Sequence, residues 1–379
     1  MRTVRLRSFV LALAVVAAFV LPACAASIEE LVAAVVRIKT YINPDGQTVQ
    51  SLGREREGSG IVIDEDGLVL TIGYLMVEAH AAEVTINGGR TVAAAIVGYD
   101  HETGFGILRT LQPLKIKPLA FGRSADVSVN DPVLVASGGG PNMVGPARVA
   151  AKREFAGSWE YLLDEAIFTA PPHPAWSGAA LISREGKLLG VGSLIVGDAG
   201  GDGGGKPGNM FVPIERLPPI LGDLIADGHV AGPGRPWLGV AADEVRGRLI
   251  VSRVTPDSPA EKAGIRKGDE IVGVGGEAPR NLPDFYRKIW ATGTAGATVP
   301  LDVEQRGAKR RIDVKSINRL DNLKLKSTLL TLPVGSRAAR MNRRARSARA
   351  SLAARPRFRD AKAGTRFLAL DARWSLSPT

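Results

Sequence analysis

The sequence predicts a mainly β protein built from two successive folded units, and three observations predict it. Glycine is abundant, at 44 of 379 residues, while aromatic residues make up only 5%, a balance that suits tight turns and short strands better than a helical bundle. Between residues 26 and 224, short runs of Val, Ile and Leu alternate with Gly, Asp and Asn turns at the spacing of an all-β barrel or sandwich. Beyond Thr331 the composition collapses into Arg, Ala and Ser with no periodic apolar pattern. Such a segment cannot bury enough surface to offset the entropy of ordering its backbone.

Taken in order, the chain opens with Arg2, Arg5 and Arg7, an apolar run from Phe9 to Leu21 and small residues around Cys24. This reads as a secretory signal peptide over residues 1–25, too short and wrongly flanked to span a membrane. Leu21-Pro22-Ala23-Cys24 also resembles a bacterial lipoprotein cleavage box, with Pro22 where a small residue is usual. Cys24 is the only cysteine, so it is either lipidated or removed with the signal, and cleavage after Ala25 is the preferred reading. The mature body then has no disulfide and depends on its core.

Ile28 to Val36 reads as a short amphipathic helix. Strands are expected at 60–64, 67–71, 83–86, 92–97, 132–136 and 187–196. The glycine-dense stretch 197–208 reads as a flexible loop; no Lys-Ser/Thr pair follows to make it a phosphate cradle. Residues 226–234 (Ala-Asp-Gly-His-Val-Ala-Gly-Pro-Gly) form a linker, a second domain runs over 235–320, and 321–379 is a basic tail expected to be disordered.

The net charge of +11 is concentrated at the ends: residues 331–379 carry 12 Lys/Arg against 2 Asp/Glu. The body between signal and tail is near neutral, which argues against nucleic-acid binding by the folded part. The four histidines, His80, His101, His173 and His229, are scattered, and no cysteine is usable, so neither a metal site nor a cofactor is expected.

The stretch from Phe168 to Leu181, with Ser177-Gly178 at its centre, resembles the nucleophile loop of trypsin-like serine proteases of the HtrA/DegP group. The resemblance covers most of residues 50–220 in the family's order. It includes Gly58-Ser59-Gly60 and the strand to Thr71, the run 95–100 followed by 106–109, 119–124 with 130–136, and 209–214. It implies a chymotrypsin-like double β-barrel over residues 26–225 with Ser177 at the nucleophile position.

The departures fall on the other catalytic positions. Where the family reads Thr-Asn-Asn-His-Val-Val, this chain reads Thr71-Ile72-Gly73-Tyr74-Leu75-Met76, putting Tyr74 at the histidine position. Where the family reads Thr-Asp-Leu-Ala-Val-Leu, Thr103-Gly104-Phe105-Gly106 puts Gly104 at the aspartate position. A serine hydroxyl needs a base to take its proton and a third group to orient that base. A phenol, with a reference pKa near 10, is a poor base at neutral pH, and glycine orients nothing. By resemblance the oxyanion hole is formed at Ala175 and Ser177, and Ala175 replaces the family glycine. Ser177 could equally be a turn residue bonded within its own loop, and His101, whose loop borders the cleft, is the best candidate for a substitute base.

Arg235-Pro236-Trp237-Leu238-Gly239-Val240, followed by the run 247–274 with its Ser-Pro-Ala, Ala-Gly-Ile and Gly-Asp-Glu-Ile order, is similar to a PDZ domain of the protease-associated type. Ser258 is expected to cap a short helix that Gly264 ends, and 282–290 a second helix with Phe285 and Ile289 on one face. The resemblance implies peptide binding by strand addition. Trp237, Leu238, Gly239 and Val240 would form the carboxylate loop, with Phe285 and Ile289 lining a side-chain pocket or serving as plain core.

The leading expectation is a secreted, periplasmic HtrA-like pseudoprotease that binds peptides or unfolded proteins with apolar C-termini. Its partners could extend to a homo-oligomer or an active protease relative, and to the membrane only if Cys24 is lipidated. The alternatives are an active serine endopeptidase using Ser177 with a non-standard base, or an envelope-anchored structural protein whose tail contacts anionic surfaces.

Overall fold

The computed structural model describes residues 27–325. The signal segment with Cys24 and all but the first residues of the basic tail lie outside the described residues. Helix α1 (Ile28–Ala33) starts at Ser27, whose hydroxyl accepts the Glu30 N–H at 3.2 Å. It is shorter than the apolar pattern predicts. Val35 and Val36 are fully buried at the start of strand β1 (Val35–Ile42) and pair with Ile61 and Gly60, because β-branched side chains fit a pleated surface better than a helix.

The first barrel closes in the order β1-β2-β3-β6-β5-β4. Its further strands are β2 (Glu55–Val62), β3 (Leu68–Ile72), β4 (Ala79–Thr85), β5 (Thr91–Tyr99) and β6 (Phe105–Thr110), with a single helical turn α2 (Val49–Leu52) between β1 and β2. The second barrel contains β7 (Pro132–Ala136), β8 (Val144–Gly157), β9 (Tyr161–Ala170), β10 (Ala180–Ile182), β11 (Leu188–Val196) and β12 (Gly208–Pro213), closed as β10-β11-β12-β9-β8-β7. Closure leaves neither sheet an open edge. Val69 and Leu108 pack inside the first barrel and Val149 and Phe211 inside the second. Leu70, Phe105, Phe168 and Met210 belong to one continuous apolar cluster that joins the barrels.

Helix α3 (Pro218–Asp227) follows and ends at Gly228, which adopts φ +79°. The linker therefore begins at Gly228; Ala226 and Asp227 are the last turn of the helix. The PDZ-type domain is a five-stranded antiparallel sheet in sequence order: β13 (Val240–Val245), β14 (Arg248–Val254), β15 (Glu270–Val274), β16 (Thr298–Gln305) and β17 (Ala308–Lys315). Helix α4 (Pro259–Lys262) is capped by Ser258, and helix α5 (Leu282–Ala291) by Asn281, whose side chain accepts the Asp284 N–H at 2.9 Å. Phe285, Tyr286 and Ile289 are fully buried on the inner face of α5. Phe285→Ala should cost about 3–5 kcal/mol, the usual penalty for emptying an aromatic site, read as a lower urea midpoint for the transition of this domain.

Candidate functional site

Ser177 lies on the loop between β9 and β10, where the two barrels meet. Its carbonyl accepts the Ser59 N–H at 2.8 Å. A Cβ at Gly58 would come within 2.5 Å of the Leu75 side chain and 2.8 Å of the Ser177 carbonyl oxygen. Gly178 sits at φ +73°, and a Cβ there would lie 2.0 Å from the Ser59 carbonyl oxygen. Glycine at both places is thus a condition of the close approach between the barrels. Upstream, the Asn209 side-chain oxygen accepts the His173 N–H at 2.6 Å and fixes the loop to β12.

Tyr74 stands in the one-turn 3-10 helix Gly73–Leu75 that follows β3. Its hydroxyl lies 2.8 Å from Ser177 Oγ and 2.9 Å from the Ser193 carbonyl oxygen. The phenol is the donor toward both, so its single hydrogen is shared between the Ser177 hydroxyl oxygen and the Ser193 carbonyl. Ser193 can accept because the register of β11 on β12 shifts between Gly192 and Leu194, leaving its carbonyl outside the ladder. Burial pushes the Tyr74 hydroxyl up to about 12, with its bonds to Ser177 and Trp176 only partly opposing the shift. At neutral pH this group is a protonated phenol and not a base. The buried Arg56 guanidinium holds the turn in place, donating to the Tyr74 and Val77 carbonyls at 2.7 and 3.2 Å.

Gly104, which the resemblance sets at the aspartate position, adopts φ +81°. Its N–H donates to the Asp100 carbonyl and its own carbonyl accepts the Gly73 N–H at 2.6 Å. A Cβ there would come 3.2 Å from the hydroxyl of Tyr161. Tyr161 is buried and donates to the Thr103 carbonyl at 2.7 Å, so a ring from β9 crowds the place where an acid would orient a base. The neighbouring carboxylate of Asp100 accepts the Thr103 N–H and hydroxyl at 2.8 and 2.7 Å and serves its own turn.

At the oxyanion position, the Ala175 N–H donates to His173 Nδ1 at 3.2 Å, while the Ala175 carbonyl accepts the Ser137 hydroxyl. In this arrangement one of the two expected donors is already turned toward an imidazole. Burial lowers the His173 pKa. No histidine bonds Ser177 Oγ among the described residues. His80 and His229 are exposed. His101 lines a cavity of about 820 Å³ with Glu102, Arg235 and Trp290, and burial, helped by the Arg319 charge, pulls its pKa down to about 4.

In the PDZ-type domain, the N–H groups of Leu238, Gly239 and Val240 converge on one carboxylate, that of Glu160. The Leu238 N–H reaches Oε2 at 3.0 Å, and the Gly239 and Val240 N–H groups reach Oε1 at 2.6 and 2.8 Å. Gly239 has φ +84°, the left-handed conformation that aims successive N–H groups into one nest. Trp237 stands outside the nest, because its N–H pairs with the Ile317 carbonyl at 3.0 Å. Phe285 and Ile289 lie in the domain core, in one cluster with Leu162 of β9. Burial pushes the Glu160 carboxyl up to about 7 against the pull of the three N–H bonds.

Sequence reasoning missed Ser193, His173 as the partner of Ala175, Tyr161 and Glu160. The last two sit in the Gly157–Tyr161 turn, whose only local signal is a glycine-serine hairpin. Nothing in sequence spacing brings it to residues about 80 positions further on. Tyr74→Phe should leave the buried Ser193 carbonyl unpartnered and cost about 1–3 kcal/mol, measured as a lower Tm with an unchanged far-UV spectrum.

Residues 58–191 match the trypsin-like peptidase domain family and residues 236–316 the PDZ domain family. Over 297 residues the chain is 28% identical to a probable periplasmic serine endoprotease, DegP-like, of Bartonella henselae, covering 73% of this chain and 57% of the relative. A Brucella suis protein of the same description is 29% identical over 294 residues, covering 73% and 55%. The chain spans little more than half the length of these curated relatives. Among solved structures, the HtrA-type protease AlgW with decapeptide is 20% identical at a TM-score of 0.45, covering 78% of this chain and 97% of the other. A serine endoprotease from Yersinia pestis is 21% identical at 0.44, covering 77% and 98%. The chain thus carries a trypsin-like peptidase domain followed by a PDZ domain and is similar to HtrA/DegP-like serine endoproteases.

Proposed function

We propose that this chain is a catalytically impaired or inactive member of this protease group that binds peptides or unfolded proteins through its PDZ domain. The observation that carries the reading is the partner of Ser177 Oγ: a buried phenol whose pKa stands at about 12, in place of a base. Gly104 at the position of the orienting acid and the Ala175 N–H turned to His173 support it further. An unactivated serine hydroxyl is a weak nucleophile, and a lost oxyanion donor costs about 3 kcal/mol more.

The binding half of the proposal rests on the N–H nest at 238–240, which holds a carboxylate by the same three donors that would hold a peptide C-terminus. A secreted, periplasmic location belongs to the proposal. It is supported by the apolar segment after Arg7 and by relatives described as periplasmic, with lipidation of Cys24 as an alternative anchor.

The test is incubation of the mature protein with unfolded casein and with a serine-reactive fluorophosphonate between pH 6 and 9. No cleavage and only background labelling are expected across this range, since a group that loses its proton near pH 12 stays protonated throughout. Cleavage and labelling that vanish in Ser177→Ala would overturn the reading in favour of an active endopeptidase with a non-standard base. Tyr74→His should not restore activity: an imidazole without its acid is on the order of 10⁴-fold short of a complete triad.

A further inference from the structure

The groove between β13 and α5 of the PDZ domain holds a segment of the same chain. The hairpin turn joining β8 to β9, residues 157–161 with Leu162 after it, meets that groove at each feature a peptide would use. The Glu160 carboxylate sits in the 238–240 nest. The Ala242 N–H, on the edge strand where a peptide would pair, donates to the Ser158 carbonyl at 3.0 Å. The Tyr286 hydroxyl of α5 donates to the Gly157 carbonyl at 2.7 Å and accepts the Glu160 N–H at 3.2 Å. Leu162 joins the apolar cluster of Leu238, Phe285 and Ile289. Glu160 reaches the nest from a left-handed backbone, φ +58°, and both it and its partners are buried. A buried glutamate held by three backbone donors of another domain is an arrangement with the form of a ligand in its site.

We propose that Glu160 acts as a built-in surrogate for a peptide's C-terminal carboxylate, so that the barrel hairpin occupies the PDZ groove in cis and incoming peptides compete with it. This rests on the peptide-binding reading above. Only molecules with the hairpin undocked are competent for a peptide, so its apparent affinity falls by the undocked fraction. The competitor implied by this chemistry is a peptide that ends in an apolar residue with a free carboxylate, the two groups that Leu162 and Glu160 present.

The test uses the full mature chain in two measurements. Hydrogen exchange of the 238–240 amides should be slow in the wild type and at least tenfold faster in Glu160→Gln and Glu160→Ala. A fluorescent decapeptide ending in valine, followed by anisotropy, should bind Glu160→Ala at least tenfold more tightly than the wild type, and its C-terminal amide should bind neither. Tyr286→Phe, which removes the link to Gly157 but leaves the nest intact, should give an intermediate acceleration and serves if the Glu160 variants do not fold. Wild-type amides exchanging as fast as those of the variants, or equal peptide affinity in all of them, would overturn occupancy in cis while leaving peptide binding standing. Accelerated amides with no peptide bound by any variant would support the docked hairpin and remove the peptide-binding reading instead.

Discussion

Five residues at the tip of one hairpin bear on both halves of the molecule. From the β8–β9 turn, Glu160 faces the PDZ domain and Tyr161 faces the first barrel. Glu160 is the last residue of the turn, with φ +58°, and Tyr161 the first of β9, so one step along the backbone carries the chain from the carboxylate nest to the wall beside Gly104. Trp159 stacks on Tyr161 at 5.7 Å between ring centroids, and its carbonyl accepts from Arg319 beyond the last PDZ strand. Neither the pocketed phenol at 161 nor the buried carboxylate at 160 could sit where it does if the turn were displaced. Each needs partners that water would otherwise have to replace.

The chemistry at Ser177 follows from what that packing leaves. A nucleophile loop needs close contact between two barrels, and the glycines at 58 and 178 preserve it. The proton path is what has changed. The serine oxygen accepts from a phenol that also donates to a strand carbonyl, so this partner is a donor and not a base that could carry the serine's proton away at neutral pH. Burial, which in an active site would sharpen the electrostatics, here strengthens the protonated state of Tyr74. On the proposed reading, the scaffold is kept and the activation is not.

Much of the architecture was legible in the sequence because it is written in local patterns. The strand runs of β2 to β5, the Ser258 cap and Gly264 beyond its helix are all properties of neighbouring residues, and the structure follows them. The exceptions were the strands β8 and β9, which the pattern did not single out, and some boundaries. Val35 and Val36 look helical in a window but pair with β2, and α3 runs two residues into the expected linker. Tyr74, Gly104 and Ser177 could be placed by resemblance. The direction of each hydrogen bond around them could not, because it depends on a bulge at Ser193 and on the imidazole of His173.

By itself the sequence determined the order of the domains and the loop whose N–H groups form the nest, and its resemblance set Tyr74, Gly104 and Ser177 at the triad positions. Those facts reside in residue identity and spacing. Only the tertiary structure decided that Glu160 lies in that nest, that Tyr161 crowds Gly104, and that Phe285 and Ile289 serve the core. The reason is that these contacts join residues 57 to about 125 positions apart. Their energy comes from excluding water around a carboxylate, two phenols and a turn, a property of the closed assembly that no local pattern encodes.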